Sequence, residues 1–144
     1  MRSNRAKDTK PELALRRALH ARGLRYRLHA ADVPGRPDLV IRSLRLAVFI
    51  DGDFWHGNRW RLRGLARLED DFHSNRAFWV AKITRNVERD RAVNERLAAD
   101  DWTVVRVWES DVLRDVDRVA DLVEEAIRSA RAAADGRVRN LSVE

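Results

Sequence analysis

The chain has 144 residues, no cysteine, and 29 Lys+Arg against 23 Asp+Glu, a net charge of +6. That length suits one domain, 1–144, and the lack of thiols excludes disulfides and thiolate metal sites while fitting a reducing cytoplasm. No apolar run reaches the about 18 residues of a membrane span, and the charged N-terminus lacks the apolar stretch of a secretory signal.

Arginine supplies most of the positive charge. Its guanidinium binds phosphate through paired bonds and stacks on bases, which points to nucleic acid. A GC-rich coding bias toward Arg and Ala gives the same composition for another reason.

Residues 1–8 read as a loose basic arm. Thr9-Lys10-Pro11-Glu12 reads as a capping box, with the Thr hydroxyl capping the helix and the Glu reaching back. Leu13, Leu15, Ala18, Leu19 and Ala21 continue that helix to Gly23. Leu24 to His29 reads as a short strand. Residues 30–37, with Pro34, Gly35 and Pro37, read as a loop. Leu39-Val40-Ile41 and Leu46 to Ile50 are short apolar runs, the pattern of buried strands, joined by a turn at 42–45. Residues 51–75 read as a long loop rich in Arg, Gly and Trp. From about Ser74 to Ala99, Trp79, Ile83, Val87, Val93 and Leu97 recur at helical spacing. Thr103 to Trp108 is another strand, Asp115 to Ala134 a final amphipathic helix, and 135–144 a frayed tail. The order α-β-β-β-α-β-α gives an α/β domain with a small central mixed sheet flanked by helices.

Candidate chemistry gathers at one end of that sheet. Asp38 opens one strand and Asp51 ends the next, so antiparallel pairing brings the two together. Adjacent carboxylates repel unless a proton or cation intervenes, and a hard divalent cation needs converging oxygens. Each also reads as an ordinary solvated strand-end aspartate. Glu12 and His56 are expected at the same end. Glu12 has the capping box as its structural alternative. His56 reads either as a plain loop histidine or as a group that takes a proton from water. Phe54 and Trp55 suit wedging between bases.

Several blocks, in this order, closely resemble the very short patch repair (Vsr) endonucleases: Asp8-Thr9-Lys10-Pro11-Glu12, Pro34-Gly35-Arg36-Pro37-Asp38, and Val48-Phe49-Ile50-Asp51-Gly52-Asp53-Phe54-Trp55-His56-Gly57. Phe78-Trp79-Val80-Ala81-Lys82, Asn86-Val87-Glu88-Arg89-Asp90-Arg91 and Val107-Trp108-Glu109 continue the series. The resemblance implies a restriction-endonuclease-like fold of the PD-(D/E)XK class. It also implies Mg2+-dependent nicking of double-stranded DNA, on one strand beside the thymine of a T:G mismatch. A monomer is expected, with repair proteins as candidate partners. By the same matching, Asp38 is the main metal ligand and the Ile50 carbonyl assists it. His56 lies at the hydrated metal and scissile phosphate, and Glu12 lies at the active site. Phe54, Trp55 and Trp79 match the wedge. Trp79 keeps a core role on its helix as its alternative. Lys82 and Asn86, four apart on one helix face, lie near the mismatched pair. Arg36, inside the motif loop, joins the DNA contacts.

The sequence departs from the family twice. The family's structural zinc is held by cysteines and histidine, where this chain has Asp53, Asn58, a residue near Trp60, and Ser110; no structural zinc is expected. Packing of Trp60, Leu62, Leu65, Leu68 and Phe72, or mobility, takes its place. Asp51 stands where the family has histidine, and is expected as a further catalytic carboxylate and metal ligand. These departures leave two alternatives open: a nuclease with another target (a modified or deaminated base, another mismatch, a restriction-type site), or a non-catalytic DNA-binding module.

Overall fold

A computed structural model describes the backbone of residues 8–143 and side-chain surroundings from Asp8 to Gly136. The basic arm over 1–7 and the side chains over 137–144 lie outside the described residues. The elements are α1 (Lys10–Ala21), β1 (Arg27–Leu28), β2 (Leu39–Ile41), β3 (Leu46–Asp51), α2 (Arg59–Leu62), α3 (Arg76–Ala99), β4 (Thr103–Trp108), α4 (Glu109–Arg114) and α5 (Val116–Val143). Short 3-10 turns occupy Arg42–Leu44 and Leu68–Asp71.

The strands form one mixed sheet in the order β1-β2-β3-β4. The first two pairings are antiparallel and β3 runs parallel to β4. Strand alternation then assigns the faces. Leu39, Leu46, Val48 and Val107 point to α1, α4 and α5, where they meet Leu15, Leu19, Val112, Val119, Val123 and Ile127. Val40, Ala47 and Phe49 point the other way, toward Val93 and Leu97 of α3. Asp51, two residues beyond Phe49, therefore belongs to the α3 face. Arg22 ties the first layer together: Nη1 donates to Asp121 and Glu124 at 2.6 and 3.0 Å, and Nη2 to the Asp117 carbonyl at 3.1 Å.

Four expectations need correction. Thr9 occupies the N-cap position of α1, but its hydroxyl makes no cap bond, so the capping box is not formed. Glu12 instead turns inward and is 1% exposed. The 51–75 stretch is not all loop, since it contains α2 and a 3-10 turn. Leu62 does not pack that segment, being 57% exposed, whereas Phe72 is buried. The last helical stretch starts earlier and runs longer than 115–134, broken at Asp115 between α4 and α5. Asp115 restarts the helix by accepting the Arg118 N–H at 3.2 Å.

The loop before Asp38 is held by backbone shape. Gly35 has φ +80° and Arg36, a non-glycine, has φ 52°. A Cβ on Gly35 would lie 2.6 Å from Val93 Cγ1 and 3.1 Å from the Phe49 ring. Gly35→Ala is therefore expected to cost about 2–4 kcal/mol, combining left-handed strain with a clash. Urea melts check this. Adding Val93→Ala should recover the clash part and leave the strain part.

Candidate active site

The carboxyl end of β3 opens into a cleft of about 510 Å3. Glu12, Arg36, Asp38, Ile50, Asp51, Trp55 and His56 all line it. The sequence-derived residues from α1, the Pro-Gly loop and the end of β3 thus meet at one place within one chain.

Asp38 is held from two sides. Its backbone N–H donates to the Val48 carbonyl at 3.0 Å, and its Oδ2 accepts the Ile50 N–H at 2.7 Å. No cation pairs with it among the described residues. Burial pushes its carboxyl up to about 7, helped by the neighbouring charges of Glu12 and Asp51 and opposed by the Ile50 N–H and His56. It is a half-buried carboxylate with no ion-pair partner among the described residues, flanked by further carboxylates, and that donor set suits a hard divalent cation.

Glu12 reaches the cleft from the first turn of α1. Its Oε2 accepts from Arg16 Nη1 at 3.2 Å. His29 Nε2 lies 3.1 Å from the same oxygen, but without the alignment of a hydrogen bond. His29 also donates its backbone N–H to the Asp38 carbonyl at 3.1 Å, so one residue touches both acidic elements.

Asp51 is engaged differently. Arg106 Nη1 donates to both its oxygens, at 3.0 and 3.1 Å. The pairing is a consequence of register. Parallel partners Phe49 and Arg106, then Asp51 and Trp108, put the Arg106 guanidinium over the Phe49 ring at 4.1 Å and within reach of Asp51. Burial raises the Asp51 carboxyl, Asp90 adds to that, and His56 and Arg106 oppose it.

His56 Nδ1 sits 2.5 Å from Asp90 Oδ2 and 3.8 Å from Asp51 Oδ1. Burial works against charge on the ring, but the Asp90 bond and the Asp51 and Asp90 charges outweigh it, so its pKa moves up. Asp51, His56 and Asp90 can each offer a ligand atom within 4.8 Å of the others.

Asp90, Asn94 and Arg106 were not among the sequence-derived site residues. The signal for the first two was present. Asn86, Asp90 and Asn94 fall at successive i+4 positions on α3, one helix face. Each holds a different piece of the site. Asn86 Nδ2 donates to the Trp55 carbonyl at 3.0 Å, Asp90 takes His56, and Asn94 Oδ1 accepts from Arg106 Nε at 2.7 Å.

The aromatics form a connected group beside the cleft. Phe54 packs edge-on against Trp55 and Trp79 with centroids 4.8 and 5.4 Å apart, and Trp79 stacks on Phe72 at 6.2 Å. Arg59 lies 4.5 Å over the Phe54 ring, and Lys82 Nζ lies 5.9 Å from that of Trp55. Phe78, next to Trp79, is 57% exposed.

The positions where the resemblance places zinc do not suit a metal. Asn58 and Ser110 both direct hydrogen-bond donors at Asp53, and the chain has no cysteine.

A family model described as DNA mismatch endonuclease Vsr matches residues 1–62. The DNA mismatch endonuclease Vsr of Escherichia coli K12 is 36% identical over 84% of this chain and 73% of its own length. The chain belongs to the Vsr family. Other relatives of this Vsr-family chain carry the name type II nicking enzyme. One from Neisseria meningitidis serogroup C is 44% identical over 89% of this chain and 83% of its own length. One from Haemophilus parainfluenzae is 41% identical over 87% of this chain and 85% of its own length. The Vsr family membership makes this protein a DNA endonuclease, with the α/β fold expected of restriction-endonuclease-like nucleases. Among the described residues, no helix is long and apolar enough to cross a membrane.

Proposed function

We propose that this endonuclease nicks one strand of duplex DNA at a mismatched pair of T:G type, using Mg2+ bound at Asp38. The observation that carries the reading is the cleft itself. It joins a half-buried carboxylate that has no ion-pair partner among the described residues to a histidine–aspartate pair, and Trp55 of the aromatic group forms part of its wall.

Asp38 and the main chain of Ile50 would hold the ion, with Glu12 beside them. When bound, Mg2+ draws charge from the phosphate oxygens and makes its water more acidic. The chain's own groups do the rest. Asp90 keeps the proton on His56 Nδ1, which leaves Nε2 as the atom that takes a proton from the attacking water. Asp51, across from His56, stabilises the imidazolium that results. Its oxygens are shared with Arg106, so direct metal ligation requires exchange of that partner. Arg36 and Arg89 line the cleft and are exposed, positioned to meet DNA phosphates.

Phe54, Trp55 and Trp79 form the wedge. A T:G wobble pair stacks poorly, so prying it open costs less than opening a matched step, and deformability contributes to discrimination. Lys82 and Asn86 approach the base edges from one face of α3. Asn86 already donates one N–H to Trp55, which leaves its second N–H and its amide oxygen to meet a base edge.

A second reading keeps the nuclease and changes its target. It is favoured by Asp51 in place of histidine and by a metal-free support under the wedge loop. A panel of T:G, other mismatched, uracil-containing and methylated duplexes, with and without Mg2+, tests both. Mg2+-dependent nicking confined to T:G is the expected result. Preference for a uracil or methylated duplex would establish the second reading. Binding without cleavage on every duplex would leave only a DNA-binding role.

A further inference from the structure

Five hydrogen bonds converge on Asp53. Its Oδ1 accepts from Asn58 Nδ2 at 2.8 Å and from Ser110 Oγ at 2.7 Å, and its Oδ2 accepts the Ser110 N–H at 3.0 Å. Its carbonyl accepts the N–H groups of Asn58 and Arg59 at 2.8 and 3.1 Å. Asn58 is 8% exposed, so its amide gains little from water and depends on this partner. Ser110 is the second residue of α4, whose early N–H groups have no partner within the helix. Asp53 therefore does two jobs from a distant segment: it caps α4 and closes the turn over Gly52 to Arg59.

That turn contains Phe54, Trp55 and His56. Among the described residues, its hydrogen bonds latch it to α3 through Asn86 and Asp90 on one side, and to α4 through Asp53 on the other. We infer that Asp53, with Asn58 and Ser110, is the positioning knot that sets the aromatic wedge and the base-side histidine, performing with one carboxylate and its donors the fastening for which the family uses zinc. The donor set supports this against a metal. An amide N–H, a hydroxyl and a backbone N–H all point at the carboxylate, and hydrogens aimed inward would oppose a cation. A charged acceptor with several donors is a strong fastener, since bonds to ionised groups are shorter and roughly twice as strong as those between neutral groups.

The activity arm of the test rests on the proposed wedge role; the structural arm does not. Asp53→Asn turns one acceptor into a donor facing other donors. Ser110→Ala is the milder variant should the first fail to fold, and Ser110→Thr restores the hydroxyl. Hydrogen exchange is followed for the peptide covering 52–60, with the α1 peptide as reference. Exchange in the turn is expected to rise in Asp53→Asn and Ser110→Ala, to stay slow in Ser110→Thr, and to leave α1 unchanged. kcat/KM for the nicked duplex is expected to fall about tenfold in Ser110→Ala, and to return in Ser110→Thr. Wild-type protein stripped by a chelator and given back Mg2+ alone should recover fully, with no zinc detected in it.

Unchanged exchange in the turn in both variants overturns the inference, as does recovery that requires zinc. Absence of nicking by the wild type would count against the proposed function, while the exchange data would still decide the knot.

Discussion

Asp38→Asn is expected to abolish nicking and to make the metal-free protein more stable at pH 8. The loss of activity follows from removal of the main ion ligand, an effect of several kcal/mol and so about a thousandfold or more. The gain in stability follows from burial. An aspartate titrates near 3.9 in an unfolded chain, whereas Asp38 in the folded chain is pushed up to about 7. The folded state therefore holds this proton more tightly. Stability falls as pH rises from about 4 to about 7 and is flat beyond, with an expected penalty of about 2–4 kcal/mol. Asn carries no charge to desolvate, and its amide oxygen can still accept the Ile50 N–H. Urea melts with chelator at pH 5 and pH 8 measure the difference. Equal stability of the two proteins at pH 8 would show that the carboxylate is not the strained group described. Adding Mg2+ at pH 8 should stabilise the wild type and leave Asp38→Asn unmoved.

The second large effect is expected at His56. His56→Gln should lower kcat by about 10²–10⁴, the usual range for a positioned base. With saturating Mg2+, which displaces the proton from Asp38, the acid limb of kcat/KM reports the loss of a proton from His56. Its pKa is raised. In the metal-free protein an NMR titration should therefore find His56 above the ordinary histidine value of about 6.5. Asp90→Asn weakens the bond that favours the charged ring, so the limb should move to lower pH while the plateau falls. The stability linkage has a definite sign. A raised histidine pKa contributes stability that is present below its unfolded pKa and is lost as pH rises through the folded one. The metal-free wild type thus loses stability toward alkaline pH from His56 as well as from Asp38. A limb unmoved by Asp90→Asn would remove His56 from the base role.

The sequence carried the sheet well because its strands are short apolar runs bounded by Pro, Gly and Asp. Antiparallel pairing then placed Asp38 near the end of β3. Glu12 was ambiguous for a physical reason. Position three of a helix serves both a capping carboxylate and one directed into a site, and only a partner from another segment, His29, distinguishes them. Arg106 was illegible because it meets Asp51 through the parallel β3–β4 register, which no local pattern encodes. Asp90 was half visible: its i+4 relation to Asn86 was readable, but not its partner. The 51–75 stretch hid its short helices because they run for a single turn, too short for periodicity to register.

The i+4 series on α3 has a mechanical consequence. Trp55 and His56 are neighbours in the chain, and one rigid rod grips each of them, at rungs a single turn apart. Neither can advance toward the duplex while the other stays behind. Under the proposed mechanism, the distance from pried base pair to severed bond is a property of helix pitch, and a substitution that tilts this rod would displace both events together.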